Sequence, residues 1–304
     1  MSRVRRGRTA LGVAAALALA GCGSGPGTSS TGAAGRLSVV ASFYPLQYVT
    51  GRILGDRGSV ANLTPPGAEP HDLELSPKDV AALSDARLVV YLAGFQPSVD
   101  SAVQAEARGA ALNVADSARL TLQGSDGRGA LGHDPHFWLD PTRLADVADA
   151  VAARLVALDP GGAALFTANA AALRTDLAAL DAELKAGLAS CAIRSLVTSH
   201  EAFAYLAERY GLIQVGIAGL SPEAEPDAGT LATVTDFVRA NKVTTIYYET
   251  LVSPDVARTV ARSTGASTAV LDPIEGLGAA SAGSDYRGVM RSNLATLRVG
   301  QQCR

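Results

Sequence analysis

Cysteine, tryptophan, methionine and histidine are all scarce in this chain of 304 residues, which holds three, one, two and four of them respectively. Three cysteines cannot build a disulfide-dense scaffold or a cysteine-rich zinc module. Neither CxxC nor HExxH occurs anywhere, so the compact motifs of redox and metallopeptidase chemistry are excluded. Cations do not dominate either: 26 Lys and Arg stand against 29 Asp and Glu, for a net charge of −3. Beyond the first eight residues the basic side chains are scattered rather than striped, which argues against a nucleic-acid partner. No apolar run reaches the roughly 20 residues that a membrane-spanning helix requires.

What is there begins with an export pattern. Arg3, Arg5, Arg6 and Arg8 precede an uninterrupted small and apolar run from Leu11 to Ala20, the order of a secretory leader. The run ends in Leu19, Ala20, Gly21 and Cys22, which resembles the lipobox at which bacterial lipoproteins are cut and lipidated. The reading is a signal peptide over 1–21, exported by the general or twin-arginine route, and a mature chain starting at lipidated Cys22. Residues 22–35 are expected to be a flexible tether, because Gly, Ser, Thr and Ala bury too little apolar surface to offset the entropy of ordering. The protein is therefore expected outside the cytoplasm, anchored by lipid to the outer face of the membrane or periplasmic. Disulfides persist there, so Cys191 and Cys303 are expected to be bridged, pinning the C-terminal tail to the start of the second lobe.

From about Arg36, short β-branched runs alternate with helical patterns. Strands are expected at 37–43, 59–63, 88–92 and 111–114, with helices at 46–54, 77–83 and 97–106; Pro77 and Pro97 sit in first turns, where proline is tolerated. That is the rhythm of an α/β lobe with a mostly parallel sheet. After a helix at 142–158 and a break at Pro160 and Gly161, the run 163–188 has no Pro or Gly until Gly187. Leu173, Leu177, Leu180 and Leu184 recur at helical spacing within it. It reads as one long helix, a stiff strut. Alternation then restarts, with strands at 195–198, 213–217, 244–248 and 268–271 and helices at 201–210, 228–240, 254–263 and 286–297. The fold class is thus α/β: two lobes with mostly parallel sheets flanked by helices, an N-terminal lobe over 36–159 and a C-terminal lobe over 191–304, joined by one long rigid helix within 160–190. No sequence repeat relates the lobes.

The four histidines are at 71, 133, 136 and 200, all in loops or at strand ends. In open α/β sheets, ligands gather beyond the carboxyl ends of strands. His71 lies in PPGAEPHDLELSP after a first-lobe strand, His200 directly follows the strand ending at Thr198, and Asp272 holds the corresponding place after the last strand in TAVLDPIEG. His136 leads into Phe137 and Trp138 in HDPHFWLDP. Three imidazoles and one carboxylate suit a tetrahedral divalent cation such as zinc. Taken singly, each histidine fits a surface or hydrogen-bonded structural role better than a ligand role; only as a set do they point to metal. His133, in a Gly-rich loop, is left out of the set, and Glu69 is a candidate for an additional oxygen or a supporting hydrogen bond.

Together the segments SFYPLQYVTGRILGD, LTPPGAEPHDLELSPKDVAAL, HFWLDP, VTSHEAFAYLAERYGL, YYETLVSPDVARTVARSTGA, LDPI and DYRGVMRSNLATL resemble the solute-binding lipoproteins of zinc and manganese ABC importers. The resemblance runs through the whole mature chain. It implies metal ligation by His71, His136, His200 and Asp272, with histidine rather than glutamate at the third position pointing to Zn2+ ahead of Mn2+. It implies as partner the membrane permease of a metal ABC importer, with the protein itself a monomer and not an enzyme. The long His-rich loop of many zinc-binding members is missing; GSDGRGALGHDPH is short.

Release of metal is expected through rearrangement of the loops at His71 and His136 rather than wide opening of the lobes, with affinity falling below about pH 6.5, the ordinary histidine value. Three other readings compete. A manganese-delivering member of the same family would share the site. A secreted zinc hydrolase would need an open coordination position and a base such as Glu69 or Glu201. An adhesin would carry the metal as a structural element.

Overall fold

The computed structural model describes residues 36–125 and 131–304. The leader, Cys22 and the remaining residues through Gly35 lie outside the described residues.

The first lobe is a parallel sheet in the order β2-β1-β3-β4, formed by β1 (Leu37–Ala41), β2 (Gly58–Asn62), β3 (Leu88–Tyr91) and β4 (Ala111–Asn113). Its central strands β1 and β3 are largely buried, which explains their nearly unbroken apolar sequence, whereas the edge strands β2 and β4 are partly exposed. Val39, Ala41, Leu88 and Val90 turn to one side, where α1 (Tyr44–Leu54) and α5 (Pro141–Leu158) pack. Val40 and Val89 turn to the other, against Leu83 of α2 (Pro77–Asp85) and Val99 of α3 (Pro97–Ala102). Helix starts follow their sequence signals. Ser76 and Asp79 close a reciprocal capping box ahead of Pro77, and Asp140 accepts from the Thr142 amide ahead of Pro141.

A short helix, α4 (Ala115–Ala118), follows β4, and an antiparallel pair comes next: β5 (Gln123–Ser125) with β6 (Leu131–His133). Neither strand is visible in the sequence, because glycine occurs in each and hides the alternation on which strand recognition depends.

The strut, α6 (Ala163–Leu188), is 26 residues long, about 39 Å at 1.5 Å per residue. Leu173, Leu177, Leu180, Leu184 and Leu188 line its buried stripe, and it packs on α1 and α5 of the first lobe and on α10 (Tyr286–Gly300) of the second. Close approach to α10 requires Gly187, where an added Cβ would sit 2.8 Å from the Leu294 side chain.

The second lobe comprises β7 (Ser195–Thr198), β8 (Ile213–Gly216), β9 (Thr245–Tyr248) and β10 (Ser267–Val270), with α7 (Ala204–Tyr210), α8 (Ala228–Ala240) and α9 (Asp255–Thr264). Its sheet order is β10-β9-β7-β8. Read from its other edge, that is the topology of the first sheet, reached without sequence repetition. Helix α7 starts three residues later than its apolar pattern, because the Glu201 amide is bonded to the Gly219 carbonyl and the chain between Thr198 and Ala204 is given to the site described below. Cys191 and Cys303 are joined by a disulfide that ties the end of α10 to the segment after α6.

One apolar core runs through both lobes, from Val39 and Leu88 past the leucines of α6 to Leu196, Tyr205, Tyr247, Met290 and Leu297. Buried polar bonds stitch it further. Tyr205 of the second lobe accepts from the Thr121 and Leu122 amides and donates to the Asp134 carbonyl; Tyr286 donates to the Trp138 carbonyl at 2.5 Å. Among the described residues no helix is long and apolar enough to cross a membrane.

Candidate metal centre

Three imidazoles converge at the carboxyl ends of the two sheets. His71 sits in the irregular segment between β2 and α2, His136 immediately before the turn Phe137–Leu139, and His200 just beyond β7. Each directs Nε2 inward: His136 Nε2 is 3.3 Å from His71 Nε2 and 3.4 Å from His200 Nε2. The fourth donor is Glu275, whose Oε1 lies 3.4, 3.0 and 3.5 Å from the Nε2 atoms of His71, His136 and His200. Asp272, expected from sequence as this oxygen ligand, is not in the group. Its Oδ1 accepts from the Ile274 amide at 2.8 Å, turning the carboxylate back onto its own loop, and the turn so made carries Glu275 into the position that Asp272 was expected to fill.

These separations have a direct chemical meaning. Four donors held about 2.0–2.1 Å from one ion at tetrahedral angles lie about 3.3 Å from each other. Five of the six edges fall between 3.0 and 3.5 Å, and the four donor atoms all lie within 4.8 Å of one another. Imidazole nitrogens facing each other this closely, with one carboxylate among them, could hold a cation.

Two carboxylates fix the rings from behind. His136 Nδ1 is 2.8 Å from Asp134 Oδ1, which also accepts the His136 amide, and His200 Nδ1 is 2.6 Å from Glu249 Oε1, which also accepts from Ser199 Oγ. A proton on each Nδ1 leaves the Nε2 lone pair free for metal. Asp134 and Glu249 were missed by sequence reasoning; a signal existed for the first, two residues before His136, and for the second, directly after β9. His71 is the exposed member, with 10% of its side chain open to solvent, whereas His136 and His200 are fully buried. It packs edge-on against Phe95 and forms part of the wall of a cavity of about 590 Å3 that Leu120, Pro135 and Leu220 also line.

The electrostatics follow from burial and pairing. Burial holds the His71 imidazole below the ordinary histidine value, since Glu275 offsets it only in part. For His136, burial is outweighed by the hydrogen bond and charge of Asp134 and then by Glu275, and the value rises. For His200, burial is outweighed by the charge and hydrogen bond of Glu249 and then by Glu275, and the value rises well above the ordinary one. Burial would raise Glu275, but the field of His71 and hydrogen bonds from His136, His200 and His71 hold its carboxyl well below the usual range.

The remaining candidates lie outside the group. Glu69 accepts the His71 and Asp72 amides and stands 3.9 Å from His71 Nε2, so it caps the turn that presents His71; burial and then Glu275 push its carboxyl up to about 7. His133 is exposed at the end of β6, its Nδ1 2.8 Å from Gln123 Nε2. Glu201 lines a separate cavity of about 520 Å3 with Asp134 and Glu208.

The family model of zinc-uptake complex component A periplasmic, ZnuA, matches residues 39–300. The chain belongs to the ZnuA family. The zinc-binding lipoprotein AdcA of Streptococcus pneumoniae is 37% identical over 278 residues, covering 87% of this chain and 56% of AdcA, so the chain spans about half the length of that relative. The high-affinity zinc uptake system protein ZnuA of Bacillus subtilis is 35% identical over 297 residues, 93% of each chain. Among solved structures, the Zn(II)-bound ZnuA-like domain of S. pneumoniae AdcA gives a TM-score of 0.73 at 35% identity, covering 88% of this chain and 99% of that one. The laminin-binding protein of Streptococcus agalactiae, described as bifunctional with adhesin and metal transporting activity, gives 0.76 at 33% identity, covering 87% and 99%.

Proposed function

We propose that this ZnuA-family chain captures Zn2+ between its two lobes through His71, His136, His200 and Glu275 and delivers it to the permease of a metal ABC importer, held at the outer membrane face by lipid on Cys22. The observation that carries the reading is the tetrahedral spacing of three imidazole nitrogens and one carboxylate oxygen, two donors from each lobe. Nitrogen-rich tetrahedral donors suit zinc, whereas manganese favours oxygen-rich octahedral sites. Four protein donors leave no position for an activated water, which a hydrolase requires.

Titration of the metal-stripped protein with zinc and with manganese, by calorimetry and by Trp138 fluorescence, tests the proposal. One tight zinc equivalent, with manganese bound far more weakly, supports it. Equal or tighter manganese binding turns the assignment to manganese delivery. A zinc complex that unfolds on chelation would make the metal structural rather than cargo.

A further inference from the structure

The loop that brings Glu275 to the imidazoles contains a strained residue. Ile274 has φ +59°, the left-handed region, and its side chain is fully buried. A β-branched residue rarely adopts that conformation. After a proline in a tight turn it is normally Gly or Asn that does so. Here Pro273 precedes Ile274, and three contacts hold the turn in place. Asn293 of α10 clamps both backbone groups of Asp272, accepting its amide at 3.0 Å and donating to its carbonyl at 2.6 Å. Trp138 reaches from the first lobe to donate its indole N–H to the Pro273 carbonyl at 2.8 Å. Asp272 Oδ1 accepts the amide of Ile274 itself, at 2.8 Å. Of the three, only the last acts directly on the strained residue.

From this geometry we infer that Asp272 is a positioning residue for metal capture: its hydrogen bond to the Ile274 amide holds the left-handed turn that aims Glu275 at the three imidazoles. Asp272 is buried, lies three residues before the ligand, and spends one carboxylate oxygen on the turn. Aspartate bonding to the amide two residues on is a recurrent way to fix a turn that the backbone would otherwise leave. The apolar Ile274 side chain stays because it is buried in the shared core, so the turn cannot be relieved by glycine without loss of packing. Asp272 and Ile274 thus form a pair, one supplying the restraint that the other needs.

This inference rests on the zinc-capture reading, and its test separates the two. D272A should weaken zinc binding roughly 10–100-fold, the usual cost of removing a group that orients a ligand. D272N, whose amide oxygen accepts the same bond, should retain binding. The double variant D272A/I274G should recover affinity relative to D272A, since glycine takes a positive φ without restraint. An independent readout needs no metal: Trp138, the only tryptophan, is bonded to this turn, so its emission in metal-free protein should change in D272A and return in D272N. If D272N loses as much affinity as D272A and the glycine does not rescue, Asp272 acts through its charge and the positioning role is overturned. Unchanged affinity and emission in D272A, with a wild type that binds zinc, overturns the inference alone. A wild type that takes up no zinc overturns the capture reading beneath it.

Discussion

Glu249 touches no donor atom of the metal group, yet its replacement should be felt there. Its Oε1 accepts from His200 Nδ1 at 2.6 Å and from Ser199 Oγ, and both His200 and Glu249 are buried. Glu249→Gln keeps an acceptor oxygen of the same shape, so the ring can hold its orientation and its Nδ1 proton. What it loses is the negative charge that makes the ring a stronger donor. Removing such a partner typically costs about 10–100-fold in metal affinity, which is about 1.4–2.8 kcal/mol. Glu249→Ala should cost more, because the buried His200 Nδ1 loses its acceptor, at about 1–3 kcal/mol, and the part-buried Ser199 Oγ loses the same partner. The assay is competition for zinc against a chelator of known affinity at fixed pH, with circular dichroism to verify folding. The affinity order should be wild type, then Gln, then Ala. A Gln variant indistinguishable from wild type would refute the claim that the carboxylate behind His200 tunes the site.

Zinc binding should be coupled to proton release, because Asp134 and Glu249 raise His136 and His200 above the ordinary histidine value, so protons compete with the metal there at higher pH than at an ordinary histidine. Affinity should therefore rise with pH through the raised values, beginning to fall at a higher pH than ordinary histidines would dictate; calorimetry at pH 7 in buffers of different ionisation enthalpy measures the release, and zero net release would contradict the assignment. Cys303→Ser should lower stability by roughly 2–5 kcal/mol, because the disulfide closes a separation of 112 residues; denaturant titration reads this, and zinc affinity should be little changed. Leu177→Ala, in the buried stripe of α6, should cost about 2–5 kcal/mol of stability while leaving the donors in place, so a large loss of zinc affinity in folded protein would mean that the strut is coupled to the site.

The alternation of elements was legible because several strands are continuous apolar runs and Pro77 and Pro97 mark the first turns of α2 and α3. Helix α6 was read to the residue, since nothing within Ala163–Leu188 breaks it before Gly187. The convergence of three imidazoles was legible because histidine is rare here and falls at strand ends. The carboxylate that meets them was not. Strand-end logic selects the first acid after β10, and that is Asp272; the outcome depended instead on a side-chain bond to Ile274 and a left-handed backbone, neither of which has a periodic signature. Asp-Pro is a turn-initiating pair, and weighing it would have favoured Glu275. The acids behind the rings were hidden for a different reason: Glu249 is 49 residues from His200, and only the parallel pairing of β7 with β9 brings the two strand ends together.

How the site lets its ion go is constrained by what holds each donor. Wide opening of the lobes would have to break the shared apolar core together with the buried bonds of Trp138, Tyr205 and Tyr286, all of which cross between them. Rigid lobes transfer the burden to the ligands. His136 is locked by Asp134, His200 by Glu249, and Glu275 by a turn clamped through Asn293, Trp138 and Asp272. His71 differs from all three. It is carried by a segment without regular structure, its turn is capped by Glu69, and its ring borders a cavity of about 590 Å3. On the capture reading proposed above, loss of that one imidazole would turn a closed four-donor site into a three-donor site, from which an acceptor on a permease would take the metal without the lobes parting. On the same reading, uptake would run the same path in reverse: the three buried donors would receive the ion first, and His71 last.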